Sequence, residues 1–156
     1  MKDHNLIFLP ISLNITNKDI LIVGGGTIAS QKIRLLLPFT HRITVVAREI
    51  NNFIKETGLK CIEKEYENTD LNGFFLVYAC TNLIELNKRV FADAHEKNIL
   101  INVVDNVPYC DFVSPAIYKD GFMTVSVGSN ATDVMASVRL RDKIKNFLQN
   151  DKPSAY

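Results

Sequence analysis

A chain of 156 residues, 47% of them hydrophobic, is long enough to form one domain with a substantial core. Its net charge of +1 gives no electrostatic case for nucleic acid or an anionic membrane as the main partner. No apolar run reaches the roughly 18 residues of a membrane span, and the opening MKDHNLIFLPISL is too short and weakly charged for a secretory signal. Three widely spaced cysteines (Cys61, Cys80, Cys110) without a CxxC argue against a disulfide framework or structural zinc, and the chain reads as cytoplasmic.

Strand and helix patterns alternate along the chain, which predicts an α/β fold with a mainly parallel, doubly wound sheet of Rossmann type. Residues 8–13 precede the first core strand and read as an edge segment. Asn17-Lys18-Asp19 turns into an apolar strand at 20–23 (ILIV). A helix follows from about Thr27 to Leu37, stopped by Pro38. Strand two is 42–47. The next helix carries Ile50, Phe53, Ile54 and Thr57 at helical spacing and ends at Gly58. Strand three is about 60–66. After the Asn72-Gly73 turn, the continuous apolar run 74–79 fits a strand buried on both faces, with Cys80 as a small core residue. Asn82 can cap a helix whose stripe is Leu83, Leu86, Val90, Phe91 and Ala94. Strand five is 99–104, residues 105–115 read as loop, and a sixth strand is 123–127. A final helix begins near Thr132 or Asp133 and runs to about Gln149, with Val134, Val138, Ile144 and Leu148 among its apolar positions. The tail 151–156 reads as disordered.

The first strand, turn and helix carry the chemistry. Gly24-x-Gly26-x-x-Ala29 is a form of the dinucleotide fingerprint, and it stands where the fingerprint must stand, between a strand and a helix. Gly24 permits the tight turn, Gly26 lets backbone approach a pyrophosphate, and Ala29 lets the helix lie close on the strand. The pyrophosphate would sit on free N–H groups at the helix N-terminus. In an open α/β sheet ligands bind outside the carboxyl ends of the strands, so four segments converge: 24–29, 47–49, 80–82 and 102–106. The candidate cofactor-binding residues are therefore Gly24, Gly25, Gly26, Thr27 and Ile28 at the turn, Ala47 and Arg48 after strand two, Thr81 and Asn82 after strand four, and Asn102 and Val104 at strand five. Thr81 and Asn82 can contact ribose or nicotinamide, or simply cap the helix.

The end of strand two is informative by absence. An NAD site often places Asp or Glu there, on the ribose 2′-OH, but the chain reads Val46-Ala47-Arg48-Glu49. Arg48 can stack on adenine, meet a 2′-phosphate, or stand solvated at a helix start, so these residues alone leave NAD and NADP both open. Asp105, after strand five, puts a carboxylate at the mouth of the crevice. There it can accept a proton or ligate a metal, or merely form an Asx turn. His4, His41 and His95 are isolated and read as surface residues, with no metal site among them.

An ordered set of short motifs carries a more specific signal. Leu9-Pro10-Ile11 is followed by Val23-Gly24-Gly25-Gly26-x-x-Ala29-x-x-Lys32, Ala79-Cys80-Thr81-Asn82, Asn102-Val103-Val104-Asp105 and Phe112-Val113-Ser114-Pro115-Ala116. From about Phe8 to Leu148 the chain resembles the dehydrogenase module of siroheme synthases, the precorrin-2 dehydrogenase or sirohydrochlorin ferrochelatase family. The resemblance implies NAD-dependent oxidation of the tetrapyrrole precorrin-2 to sirohydrochlorin, with NAD favoured over NADP. It implies a key acidic role for Asp105, in dehydrogenation and, in members that insert ferrous iron, in chelation. It also implies a homodimer formed through the segment after the fifth strand. In two respects the chain departs from the pattern. The family's Gly-Thr-Ser-Pro-like turn is here Ser129-Asn130-Ala131-Thr132-Asp133-Val134, and family members usually continue into a helical domain where this sequence ends at Tyr156, which leaves a fragment and a naturally short member both open.

The resulting division is an NAD-binding Rossmann domain over 1–111, a strand-and-helix dimerisation segment over 112–150 and the tail 151–156. Two other activities stay open at this level: a bifunctional dehydrogenase–ferrochelatase, and a non-catalytic NAD-binding regulatory module. A separate polypeptide acting as chelatase is a further candidate partner.

Overall fold

In the computed structural model, residues 6–104 and 106–150 are described, and they form two compact units. The larger unit, 12–112, is built on a five-stranded parallel sheet. Its strands are β1 (Ile20–Val23), β2 (Ile43–Ala47), β3 (Lys60–Glu63), β4 (Leu76–Ala79) and β5 (Leu100–Val103), in the order β3-β2-β1-β4-β5. The chain winds outward from β1 to β3, then returns to the other side of β1 for β4 and β5. That reversal places the topological switch point beside β1, directly at the glycine turn.

Alternation of side chains across the sheet builds two cores. On one face Ile20, Ile22, Val45 and Tyr78 pack with Ala29, Ile33 and Leu36 of α1 (Thr27–Leu36) and with Ile54 of α2 (Asn52–Glu56). On the other, Leu21, Val23, Val77, Ile101 and Val103 pack with Val90 and Ala94 of α3 (Ile84–Glu96) and with Leu71. All four residues of β1 and of β4 are buried, as strands covered on both faces require. Helix α1 stops at Leu36 because Pro38, two residues on, has no N–H to continue it. Asn51 caps α2 by accepting from the Ile54 N–H at 3.0 Å. Cys80 is buried, as its place after an apolar strand suggested, and none of the three cysteines is joined in a disulfide.

The smaller unit comprises 113–150 with residues 6–11. Here β6 (Ala116–Asp120) and β7 (Met123–Val127) pair antiparallel across the Gly121-Phe122 turn, where Gly121 takes φ +57°. Strand β6 was not expected; the sequence pattern gave only the second strand of this hairpin. Helix α4 (Val134–Asn150) packs on the hairpin, and Arg141 Nη1 donates to the Ile117 carbonyl at 3.1 Å. Asp133 caps α4 by accepting from the Ala136 N–H at 2.8 Å. Of the four apolar positions expected to anchor this helix, Val138 and Ile144 are half-buried, whereas Val134 and Leu148 are exposed. Residues 8–13 form no strand. Phe8 instead donates its N–H to Asn130 Oδ1 at 2.7 Å.

Strand ends also move inward from the expected limits. Phe74 and Phe75 precede β4, Ile99 precedes β5, and β3 ends at Glu63. Among the described residues no helix is long and apolar enough to cross a membrane. The expected tail at 151–156 lies outside the described residues, as does His4.

Candidate dinucleotide cleft

At the carboxyl ends of β1, β2 and β4 the larger unit opens into a cleft of about 670 Å³. Its floor is 23–28, its far wall 46–49 with 64–66, and its near wall 80–83 with the start of α3. Gly24, Gly25, Gly26, Thr27, Ile28, Ala47, Arg48, Thr81 and Asn82 all line it, so nine of the residues singled out in the sequence are brought together. Asn102 and Val104 do not line it. Asn102 is buried, its Nδ2 donating to the Phe112 carbonyl at 2.9 Å, while its Oδ1 is buried without a partner. Val104 packs against the core and donates its N–H to the Ala79 carbonyl at 3.0 Å. Asp105 lies outside the described residues.

The glycines differ in what their missing side chains permit. Gly24 sits at φ +129°, and a Cβ there would come within 2.5 Å of the Cys80 carbonyl oxygen. A Cβ on Gly25 would run into the Glu49 carbonyl oxygen and lie 2.8 Å from Ile50 Cα. A Cβ on Gly26 would meet nothing within 4 Å. Gly24 and Gly25 are thus filled in by the protein's own backbone, and Gly26 faces open cleft. That open space, at the N-terminus of α1, leaves room for a pyrophosphate. No side chain caps α1, and no acidic residue stands in its first turn, so its positive end faces the cleft uncompensated.

Two networks hold the walls, and neither was read from the sequence. The Gly25 carbonyl accepts from the Asn51 N–H at 2.9 Å; Asn51 Nδ2 donates to Ser30 Oγ at 2.8 Å, and Ser30 Oγ donates to the Gly26 carbonyl at 3.1 Å. The turn is therefore tied to both α1 and α2. On the near wall Asn87 Nδ2 donates to the Thr81 carbonyl at 2.9 Å, while Asn87 Oδ1 accepts from the Thr81 hydroxyl at 2.7 Å and lies 3.3 Å from the Thr81 N–H. The same hydroxyl accepts from the Leu83 N–H at 3.1 Å. Thr81 thereby receives α3, the task the sequence suggested for Asn82. The latter is not the cap residue, because α3 begins two residues later, at Ile84.

The charges of the cleft are paired. Among the described residues three cationic side chains line it, and each meets a carboxylate: Arg48 with Glu65 at 2.6 Å, Lys64 with Asp70 at 3.0 Å, and Arg89 with Asp93 at 3.8 Å. Tyr66 donates its hydroxyl to Asp93 at 3.0 Å, and burial, then that bond, hold its phenol well above the ordinary range, so it stays neutral. The cleft thus offers an anion the helix end and backbone N–H groups rather than a spare side-chain cation.

Residues 11–116 match the family model described as "Putative NAD(P)-binding". The chain belongs to that family. It is also 31% identical over 147 residues to a siroheme synthase of Buchnera aphidicola and 36% identical over 144 residues to one of Acinetobacter baylyi, alignments that take in 92% and 89% of this chain. They take in 31% and 32% of those relatives, so the chain spans about a third of their length. Among solved structures, SirC, a precorrin-2 dehydrogenase, superposes with a TM-score of 0.76 at 24% identity, over 90% of this chain and 70% of that one, a likeness that establishes the shared fold. The α/β, Rossmann-type reading of the sequence agrees with it.

Proposed function

We propose that this chain is an NAD-dependent dehydrogenase that oxidises precorrin-2 to sirohydrochlorin in siroheme biosynthesis. The observation that carries the reading is the cleft itself, with an open Gly26 at an uncapped helix N-terminus, in a chain whose relatives are siroheme synthases. Oxidation of the macrocycle removes a hydride and a proton. The nicotinamide ring, when bound, supplies the hydride acceptor. The chain's own part is to seat the dinucleotide with Gly24–Ala29 and to fix the near wall through Asn87. Asp105, assigned from the sequence pattern, takes the proton. NAD rather than NADP fits a cleft whose side-chain cations are already paired. Anaerobic incubation of the chain with precorrin-2 and NAD is expected to produce NADH absorbance in step with loss of precorrin-2. NAD binding without turnover on authentic substrate would favour the regulatory module, and formation of siroheme once ferrous iron is added to the same mixture would identify the bifunctional enzyme.

The segment 112–150 is assigned to dimerisation. The smaller unit exposes Phe122, Met123, Val134, Met135 and Phe147, an apolar content that a partner would cover. Sedimentation at micromolar concentration is expected to give a homodimer, and a monomer there would refute the assignment.

A further inference from the structure

We propose that Glu65 selects the dinucleotide, its carboxylate standing in for the acid missing from the end of β2. The inference rests on the NAD reading of the cleft and adds a residue to it that the fingerprint does not point to. In a dinucleotide fold the adenosine ribose lies beyond the second strand, where a carboxylate accepts from the 2′-OH or an arginine receives a 2′-phosphate. Here β2 ends in Ala47, and Arg48 follows. Taken alone, that arginine would admit a 2′-phosphate.

The neighbouring strand changes the outcome. β2 and β3 run parallel with Ala47 opposite Glu63, and the Lys64 N–H continues the ladder to the Ala47 carbonyl at 2.9 Å. Two residues past the end of β3, Glu65 therefore arrives beside Arg48, and its Oε1 lies 2.6 Å from Arg48 Nη2. Both side chains line the cleft, and each is 71% exposed. So exposed a pair adds little to stability, but it is within a ligand's reach. It occupies the guanidinium and sets a negative charge where a 2′-phosphate would have to enter. Lys64 and Arg89, the other cations of the cleft, are held by Asp70 and Asp93 and do not offset that charge. A ribose 2′-OH, by contrast, can donate to the free oxygen of Glu65. Discrimination then comes chiefly from repulsion of the wrong cofactor.

The test is calorimetric titration of the full chain with NAD and, separately, with NADP. Glu65→Gln keeps an acceptor oxygen and removes the charge. Its NADP affinity is expected to rise at least about tenfold while NAD affinity stays within about threefold. Adding Arg48→Ala to Glu65→Gln is expected to abolish the gain, since the released guanidinium supplies it. The gain should also shrink in high salt. Glu49, the other acid on that wall, is the control, and Glu49→Gln is expected to leave the NADP-to-NAD ratio unchanged. An unaltered ratio in Glu65→Gln, or an equal shift in Glu49→Gln, would overturn the assignment while leaving the NAD site intact. Failure of the unmodified chain to bind either dinucleotide would overturn both.

Discussion

Gly25→Ala is expected to destabilise the fold by about 3 kcal/mol or more, a loss of roughly 6–12 °C in Tm for a domain of this size. The added Cβ would collide with the Glu49 carbonyl oxygen and with Ile50 Cα, which are backbone atoms with no rotamer to yield. Moving them would also strain the Gly25–Asn51 bond, the Asn51 cap of α2 and the Asn51–Ser30 bond. Gly26→Ala makes the contrasting case. Its Cβ would enter open cleft from an extended φ of −95°, so stability should change by no more than about 1 kcal/mol. Urea denaturation of both variants checks the pair, and equal losses would show that the turn is not packed as described.

Asp105→Asn is expected to lower NADH production about 10²-fold or more while leaving NAD affinity and the unfolding midpoint near those of the unmodified chain. The substitution preserves shape and removes the base, so a residue serving merely as an Asx turn would tolerate it. Turnover and binding measured on one preparation separate the roles. Wild-type-like turnover in Asp105→Asn would reduce Asp105 to a turn residue.

These two residues show what could be read from the chain and what could not. The run from Ile20 through Ala29 was legible because strand, turn and helix are contiguous, and each obeys a local rule. The obligation on Gly25 was not, because the atoms that forbid a side chain there belong to Glu49 and Ile50, more than twenty residues away. The same holds for the near wall. Asn82 has the chemistry of a cap, but Asn87 reaches back six residues to Thr81, and α3 starts at Ile84, one residue later than the local pattern suggested. Strand β6 escaped notice because none of its five residues is fully buried or fully exposed, so Ala116–Asp120 lacks the alternation of a one-sided strand. The Asp120-Gly121 pair was its visible signal. Glu65 carries no motif at all; it reaches Arg48 through the register of two parallel strands, and sequence spacing does not encode that proximity.

Calorimetric titration of NAD into the unmodified chain and into Gly26→Asp tests the central claim most directly, that the 24–29 turn seats the dinucleotide. The aspartate would place bulk and negative charge in the space at the N-terminus of α1. Its Cβ would meet no other part of the protein within 4 Å, so the fold can accept the substitution. The expected result is saturable binding to the unmodified chain, weakened at least about tenfold, or roughly 1.4 kcal/mol, in a variant that remains folded. Undiminished NAD affinity in folded Gly26→Asp would contradict it.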